Sequence, residues 1–129
     1  MKKNYLLHLI LLLAISFAYG QTYNMPAGSG TASYSTCSGT FYDNNGTGNY
    51  NNNQDSYITF CPSTPGDAIQ IQFTSFSTEQ DYDYLEMWYG NTPTGAPTEV
   101  FTGSLGAFTR TSPSADGCIT FHFVSDGLF

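Results

Sequence analysis

Positive charge is almost missing from this 129-residue chain, which has three Lys and Arg in all against ten Asp and Glu. Two of the three are Lys2 and Lys3, so beyond residue 20 only Arg110 opposes the ten carboxylates, a formal charge of −9. Such a surface repels nucleic acid and anionic lipid. It attracts cations, either metal ions or the basic groups of a protein. Charged residues of any sign are few, at 10%, while aromatics reach 16%. That balance excludes an acidic disordered tail and requires a packed domain. Lys, Glu and Leu are scarce after residue 20 and no segment there carries a helical apolar stripe, which argues against long helices. The three cysteines form no Cys-x-x-Cys pair, which argues against a zinc ribbon or a thioredoxin-type redox site. Only one histidine, His122, follows residue 20. It alternates outward with Thr120 on a strand pattern. No nucleophile and base are evident around it, so packing is the reading preferred over a catalytic triad. Paired carboxylates on the loops of a small domain lack the deep cleft that a glycosidase acid needs.

What the chain does contain begins with an export signal. Lys2 and Lys3 form a positive start, Tyr5 to Phe17 is apolar apart from His8 and Ser16, and Ala18-Tyr19-Gly20 offers small residues for cleavage. Residues 1–20 therefore predict a signal-peptide helix, and the mature chain is expected to be secreted or held at the cell surface. The run is short for a membrane span and lacks a basic stop-transfer flank, so an uncleaved anchor is the weaker alternative. Cleavage after Gly20 exposes Gln21. The remaining 109 residues suit one domain. In an exported chain three cysteines imply one disulfide and one unpaired thiol.

Past the signal, period two dominates. Residues 21–36, rich in Gly, Ala, Ser and Thr, read as a lead-in arm ending in an edge strand. Asp43 to Asn53 is dense in Asn and Gly and must be loop. Ser56 to Cys61 is a strand. In Ala68 to Phe76, Ile69, Ile71 and Phe73 alternate with polar residues, and Phe76 breaks the parity, as at a bulge or a strand end. Tyr84 to Tyr89 places Leu85, Met87 and Tyr89 on one face. Gly90 to Pro97 turns. Short strands are expected over Glu99 to Thr102 and Ala107 to Thr111, and a longer one over Cys118 to Val124 with Ile119, Phe121 and Phe123 inward. Strands at this spacing predict an all-β, antiparallel two-sheet sandwich.

Several segments, in order, resemble the CUB domain family. Cys37-Ser38-Gly39-Thr40-Phe41-Tyr42 resembles its opening cysteine and glycine turn. Gly48-Asn49-Tyr50 resembles its second turn, Phe60-Cys61-Pro62 its second cysteine, and Ile69 to Phe73 the strand that follows. Asp81-Tyr82-Asp83-Tyr84-Leu85-Glu86-Met87 resembles the family's Tyr-Asp-Tyr-Leu strand, Gly90 its turn glycine, and Phe121 to Asp126 its closing Phe-x-Ser-Asp. The resemblance covers residues 37–129 and implies a jelly-roll-like sandwich. Gln80 and Thr102 stand roughly where the family has a second disulfide, and the Glu79–Asp83 loop is shorter than the usual calcium-binding form. The family also continues through a further Gly-aromatic strand, in bacterial versions ending in cysteine, so the chain is expected to lack its last strand and to resemble the N-terminal part of a longer protein.

The resemblance implies a Cys37–Cys61 disulfide around the Asn-rich loop, worth roughly 3 kcal/mol. Cys118 is then the unpaired thiol, either buried, bonded between chains or, the reading preferred, awaiting the missing strand. It also implies a calcium site of Glu79, Asp83 and Asp126, with the Tyr50 hydroxyl orienting the glutamate. Asp81 is a substitute ligand, and Asp43 and Asp55 are weaker ones. Calcium takes six to eight hard oxygens, several of them anionic. By spacing alone these acids are ordinary solvated loop residues. The functional expectation is a non-catalytic binding module, with calcium-ordered acids meeting basic side chains of a protein partner, in a larger secreted peptidase or adhesin. The alternative is a carbohydrate-binding sandwich that presents Trp88, Tyr82, Tyr84 and Tyr89 to a glycan.

Overall fold

A computed structural model describes residues 20–128. The signal-peptide expectation lies outside the described residues. Within them the fold is all-β with no helix, so no helix long and apolar enough to cross a membrane is present there.

The eleven strands are β1 (Thr22–Asn24), β2 (Thr31–Thr36), β3 (Thr40–Tyr42), β4 (Asp55–Pro62), β5 (Gln70–Phe73), β6 (Phe76–Ser77), β7 (Tyr84–Tyr89), β8 (Glu99–Phe101), β9 (Ser104–Leu105), β10 (Phe108–Thr111) and β11 (Ile119–Val124). One five-stranded sheet has the order β2-β4-β11-β7-β8, and the pairs β1-β3, β5-β10 and β6-β9 complete the fold. The sheets are mixed, which corrects the purely antiparallel expectation: β1 runs parallel to β3, and β2 parallel to β4. Side-chain alternation reports which face is buried and carries no information on the direction of the neighbouring strand.

The alternation places the core as expected. Ile58, Phe60, Leu85, Met87, Ile119, Phe121 and Phe123 line one face of the five-stranded sheet and are 0–5% exposed. Phe41 of β3 and Phe73 of β5 pack on Phe121 from the other side, at ring distances of 5.6 and 6.1 Å. Residues 21–36 contribute β1 and β2, and Tyr23 and Met25 are buried in the same core. The outer face of the sheet is partly covered too. Thr120 and Trp88 point away from the core yet are buried, because the turn after β7 folds over them. Thr120 Oγ1 donates to Gly90 O at 2.8 Å and Trp88 Nε1 to Gly95 O at 3.2 Å. At the open edge of the β5-β10 pair, Arg110 forms a two-pronged ion pair with Glu99 and lies over the Phe101 and Phe108 rings. That guanidinium holds the Glu99 carboxyl below its usual range.

The disulfide joins Cys61 to Cys118, with Cα atoms 4.2 Å apart, and Cys37 is free and exposed. This corrects the expected Cys37–Cys61 bridge and the expected free thiol at Cys118. The strand register supplies the reason. Ile119 lies opposite Phe60 in the antiparallel β4-β11 ladder, so Cys118 and Cys61 are the next facing pair, on the same side of the sheet. Ser35, not Cys37, is the β2 residue opposite Cys61, and Cys37 lies beyond the last paired residue, Thr36. A structural disulfide of this kind belongs to an oxidising compartment.

Candidate functional site

Three segments meet at one end of the domain. The Asn-rich loop after β3 brings Tyr50, the turn between β6 and β7 brings Glu79 and Asp83, and the end of β11 runs into Asp126. One carboxylate oxygen from each of Glu79, Asp83 and Asp126 lies within 4.8 Å of the other two. The structure thus brings together the three acids singled out from the sequence.

Asp83 is the centre of this group. It is 1% exposed, and both its oxygens accept hydrogen bonds, Oδ2 from the Tyr50 hydroxyl at 2.5 Å and Oδ1 from the Asp126 amide at 2.9 Å. The Tyr50 oxygen in turn accepts the Glu79 amide at 2.9 Å. Tyr50 therefore positions the aspartate through its own proton and holds the glutamate through its backbone amide. Glu79 Oε2 is buried and has no hydrogen-bond partner. An ionised oxygen withdrawn from water without a partner is costly. A bound cation would satisfy it and would offset the repulsion among three close carboxylates.

The Glu79–Asp83 turn is anchored from outside. Thr78 exchanges bonds with Gly103, whose amide donates to Thr78 Oγ1 at 2.9 Å and whose carbonyl accepts the Thr78 amide at 3.1 Å. Thr102 Oγ1 donates to Glu79 O at 3.3 Å and accepts the Asp81 amide at 2.9 Å. Asp81 adopts a left-handed backbone (φ 66°), a conformation Asp tolerates better than most side chains. Its Oδ1 accepts from Gln80 Nε2 at 3.3 Å. Asp43 accepts the Asn45 amide within its own loop, and burial raises its carboxyl pKa despite that bond. Asp55 pairs with His122 on the sheet. None of these three acids joins the cluster.

Burial, then the hydrogen bond to Asp83, pushes the Tyr50 phenol up to about 12. A raised pKa means that the protonated phenol stabilises the fold. In chelator that contribution is complete below about pH 10 and is lost as pH rises through about 12. Phenolate absorbance should therefore show one tyrosine ionising late, and Tyr50→Phe should remove that step. A titration unchanged by Tyr50→Phe would contradict the Tyr50–Asp83 bond.

The other residues considered lie elsewhere. His122 Nδ1 is 2.8 Å from Glu86 Oε2 and Nε2 is 2.6 Å from Asp55 Oδ1, with the ring stacked on Tyr57 at 4.0 Å. The strand register puts Tyr57 and Glu86 on either side of His122. Reading that row from the sequence needed the pairing of β4, β11 and β7. Trp88 is buried, Tyr89 packs against the core, and the Tyr84 hydroxyl donates to Asp81 O. Tyr82 is 61% exposed, beside the acidic turn. No protein-family model matches this chain.

Proposed function

We propose that this is a non-catalytic extracellular binding module of CUB-like, jelly-roll type, in which calcium held by Glu79, Asp83 and Asp126 orders an acidic surface for a basic protein partner. The observation that carries the reading is the buried, unpartnered Glu79 Oε2 within a carboxylate cluster centred on Asp83. Three hard anionic oxygens suit calcium better than a softer metal, and backbone carbonyls near Gly127 and waters would complete the shell. The Cys61–Cys118 bridge supports export, and outside the cell calcium is plentiful enough for a site with Kd on the order of 0.1–1 mM. A metal-ordered carboxylate loses less entropy on pairing with a lysine or arginine, and a formal −9 from residue 21 onward draws such groups in. The bonds from Asp81 and Gly103 to Thr102 and Thr78 tie the turn near Gln80 and Thr102, where the family has its second disulfide. His122 supports a non-catalytic reading, since both ring nitrogens already face carboxylates. Membership of a larger secreted peptidase or adhesin completes this reading. The glycan alternative has less support, because Trp88 is buried and Tyr82 is the one widely exposed ring of the four aromatics.

Thermal unfolding in calcium and in chelator tests the site. Calcium at about 10–100 times its Kd should stabilise the fold by about 1.4–2.7 kcal/mol. For a domain of this size that raises Tm by about 5–10 °C. Asp126→Ala should abolish the gain. Superimposable curves in the two buffers would remove calcium from the proposal.

A further inference from the structure

We propose that His122 is a proton-operated clasp on the outer face of the five-stranded sheet. With both ring nitrogens protonated it ties β4 to β7 through Asp55 and Glu86. When neutral it keeps Glu86 and releases Asp55 to water. Its Nδ1 lies 2.8 Å from Glu86 Oε2 and its Nε2 2.6 Å from Asp55 Oδ1. A carboxylate only accepts hydrogen bonds, and neutral imidazole has one N–H and one lone pair. Both contacts can therefore be hydrogen bonds at once only to the imidazolium. The register fixes this arrangement: His122 stands opposite Tyr57 on β4 and Glu86 on β7, and Asp55 precedes Tyr57 by two residues, on the same face. The Tyr57 ring lies flat on the imidazole, at 4.0 Å and 3° between planes, a stack that suits a cationic ring.

No other cation can take that place. From β4 the ring is faced by Asp55 and Tyr57, from β7 by Glu86, and β11 carries no second titratable side chain. Beyond Tyr57 and Glu86 in the same row stand Thr31 of β2 and Val100 of β8. Arg110, the one Lys or Arg after residue 20, is held by Glu99. Exposure decides which acid is released. The His122 side chain is 12% exposed, Glu86 29% and Asp55 70%. A shielded carboxylate costs more to leave unpaired than one that water can reach. Neutral His122 therefore keeps its hydrogen on Nδ1, toward Glu86. Its Nε2 lone pair then repels Asp55 Oδ1, and that carboxylate turns into solvent. Histidine is the side chain that ordinarily changes charge between about pH 5 and 8. The clasp is thus shut in acid, and opening it makes this face more negative by one charge. None of the three residues belongs to the Glu79, Asp83 and Asp126 group, so the inference does not depend on a cation.

Imidazole nitrogen NMR of the full chain in chelator, at about pH 5 and pH 8, tests the clasp, with the Asp55 carboxyl carbon followed in the same samples. His122→Gln separates the signals of the chain's two histidines, and proximity to the Tyr57 ring protons assigns them without any variant. The expected result is hydrogen on both nitrogens at pH 5 and on Nδ1 alone at pH 8. The Asp55 carboxyl signal should shift in step with the ring, and His122→Gln should abolish that step. One hydrogen on the ring at pH 5, two at pH 8, or a lone hydrogen on Nε2 would overturn the inference. So would an Asp55 signal that responds to pH identically in parent and variant.

Discussion

Replacing Cys61 and Cys118 together by alanine should lower stability by about 4 kcal/mol, while Cys37→Ser should leave it within about 0.5 kcal/mol. The first figure follows from chain entropy. The bridge spans 57 residues, and closing a loop of that length removes more unfolded-state freedom than closing a short one. It ties the end of β4 to the start of β11, the central strand of the large sheet, and Cys118 is only 2% exposed. A domain of about a hundred residues holds on the order of 5–15 kcal/mol in total, so the double variant should lose a large part of it. Cys37 is exposed and bonded to nothing, so its thiol can be removed at little cost. Denaturant unfolding of the oxidised proteins measures both numbers, and non-reducing peptide mapping identifies the pair. A destabilised Cys37→Ser beside a near-neutral double variant would restore the Cys37–Cys61 pairing.

The cysteines mark the boundary between what was and was not legible in the sequence. Alternation places β7 at Tyr84–Tyr89 residue for residue, and β11 within one residue, because these strands bury one face and leave the other polar. β1, β3 and β9 are two or three residues long, too short for a period to show. The partner of each strand was not legible either, and disulfide connectivity, the parallel pairs and the Tyr57–His122–Glu86 row all depend on partners. Glu79, Asp83 and Asp126 are 4 and 43 residues apart along the chain, a spacing that by itself describes solvated loop acids. They were singled out through an ordered resemblance, and the loops bring them to one place. The central role of Asp83 had no signal in the sequence, because its burial comes from Tyr50 and the Asp126 amide folding onto it from distant segments.

Asp83→Ala should cost about 2 kcal/mol in chelator and about 4 kcal/mol in saturating calcium. Two effects compete when no cation is bound. The substitution leaves the Tyr50 hydroxyl and the Asp126 amide without their acceptor, and hydrogen bonds to a charged group contribute about 1.5–3 kcal/mol each. It also relieves repulsion from Glu79 and Asp126. A pair of charges 4 Å apart repels by about 1 kcal/mol in water-like surroundings and about 4 kcal/mol near a protein surface. Glu79 and Asp126 are partly exposed, so water screens their repulsion of Asp83 to between those limits, and the two lost hydrogen bonds win. Calcium reverses the sign of the charge effect. The three acids then attract a common ion, and the variant forfeits the linkage energy as well as the bonds. Asp83→Asn keeps the shape but only one acceptor oxygen, so it should cost about 1–2 kcal/mol in chelator and also lose the calcium response. Equal costs for Asp83→Ala in the two buffers would leave Asp83 a buried structural acid with no ion to hold. A variant more stable than the parent in chelator would mean that repulsion dominates and that the cluster is held together by its cation.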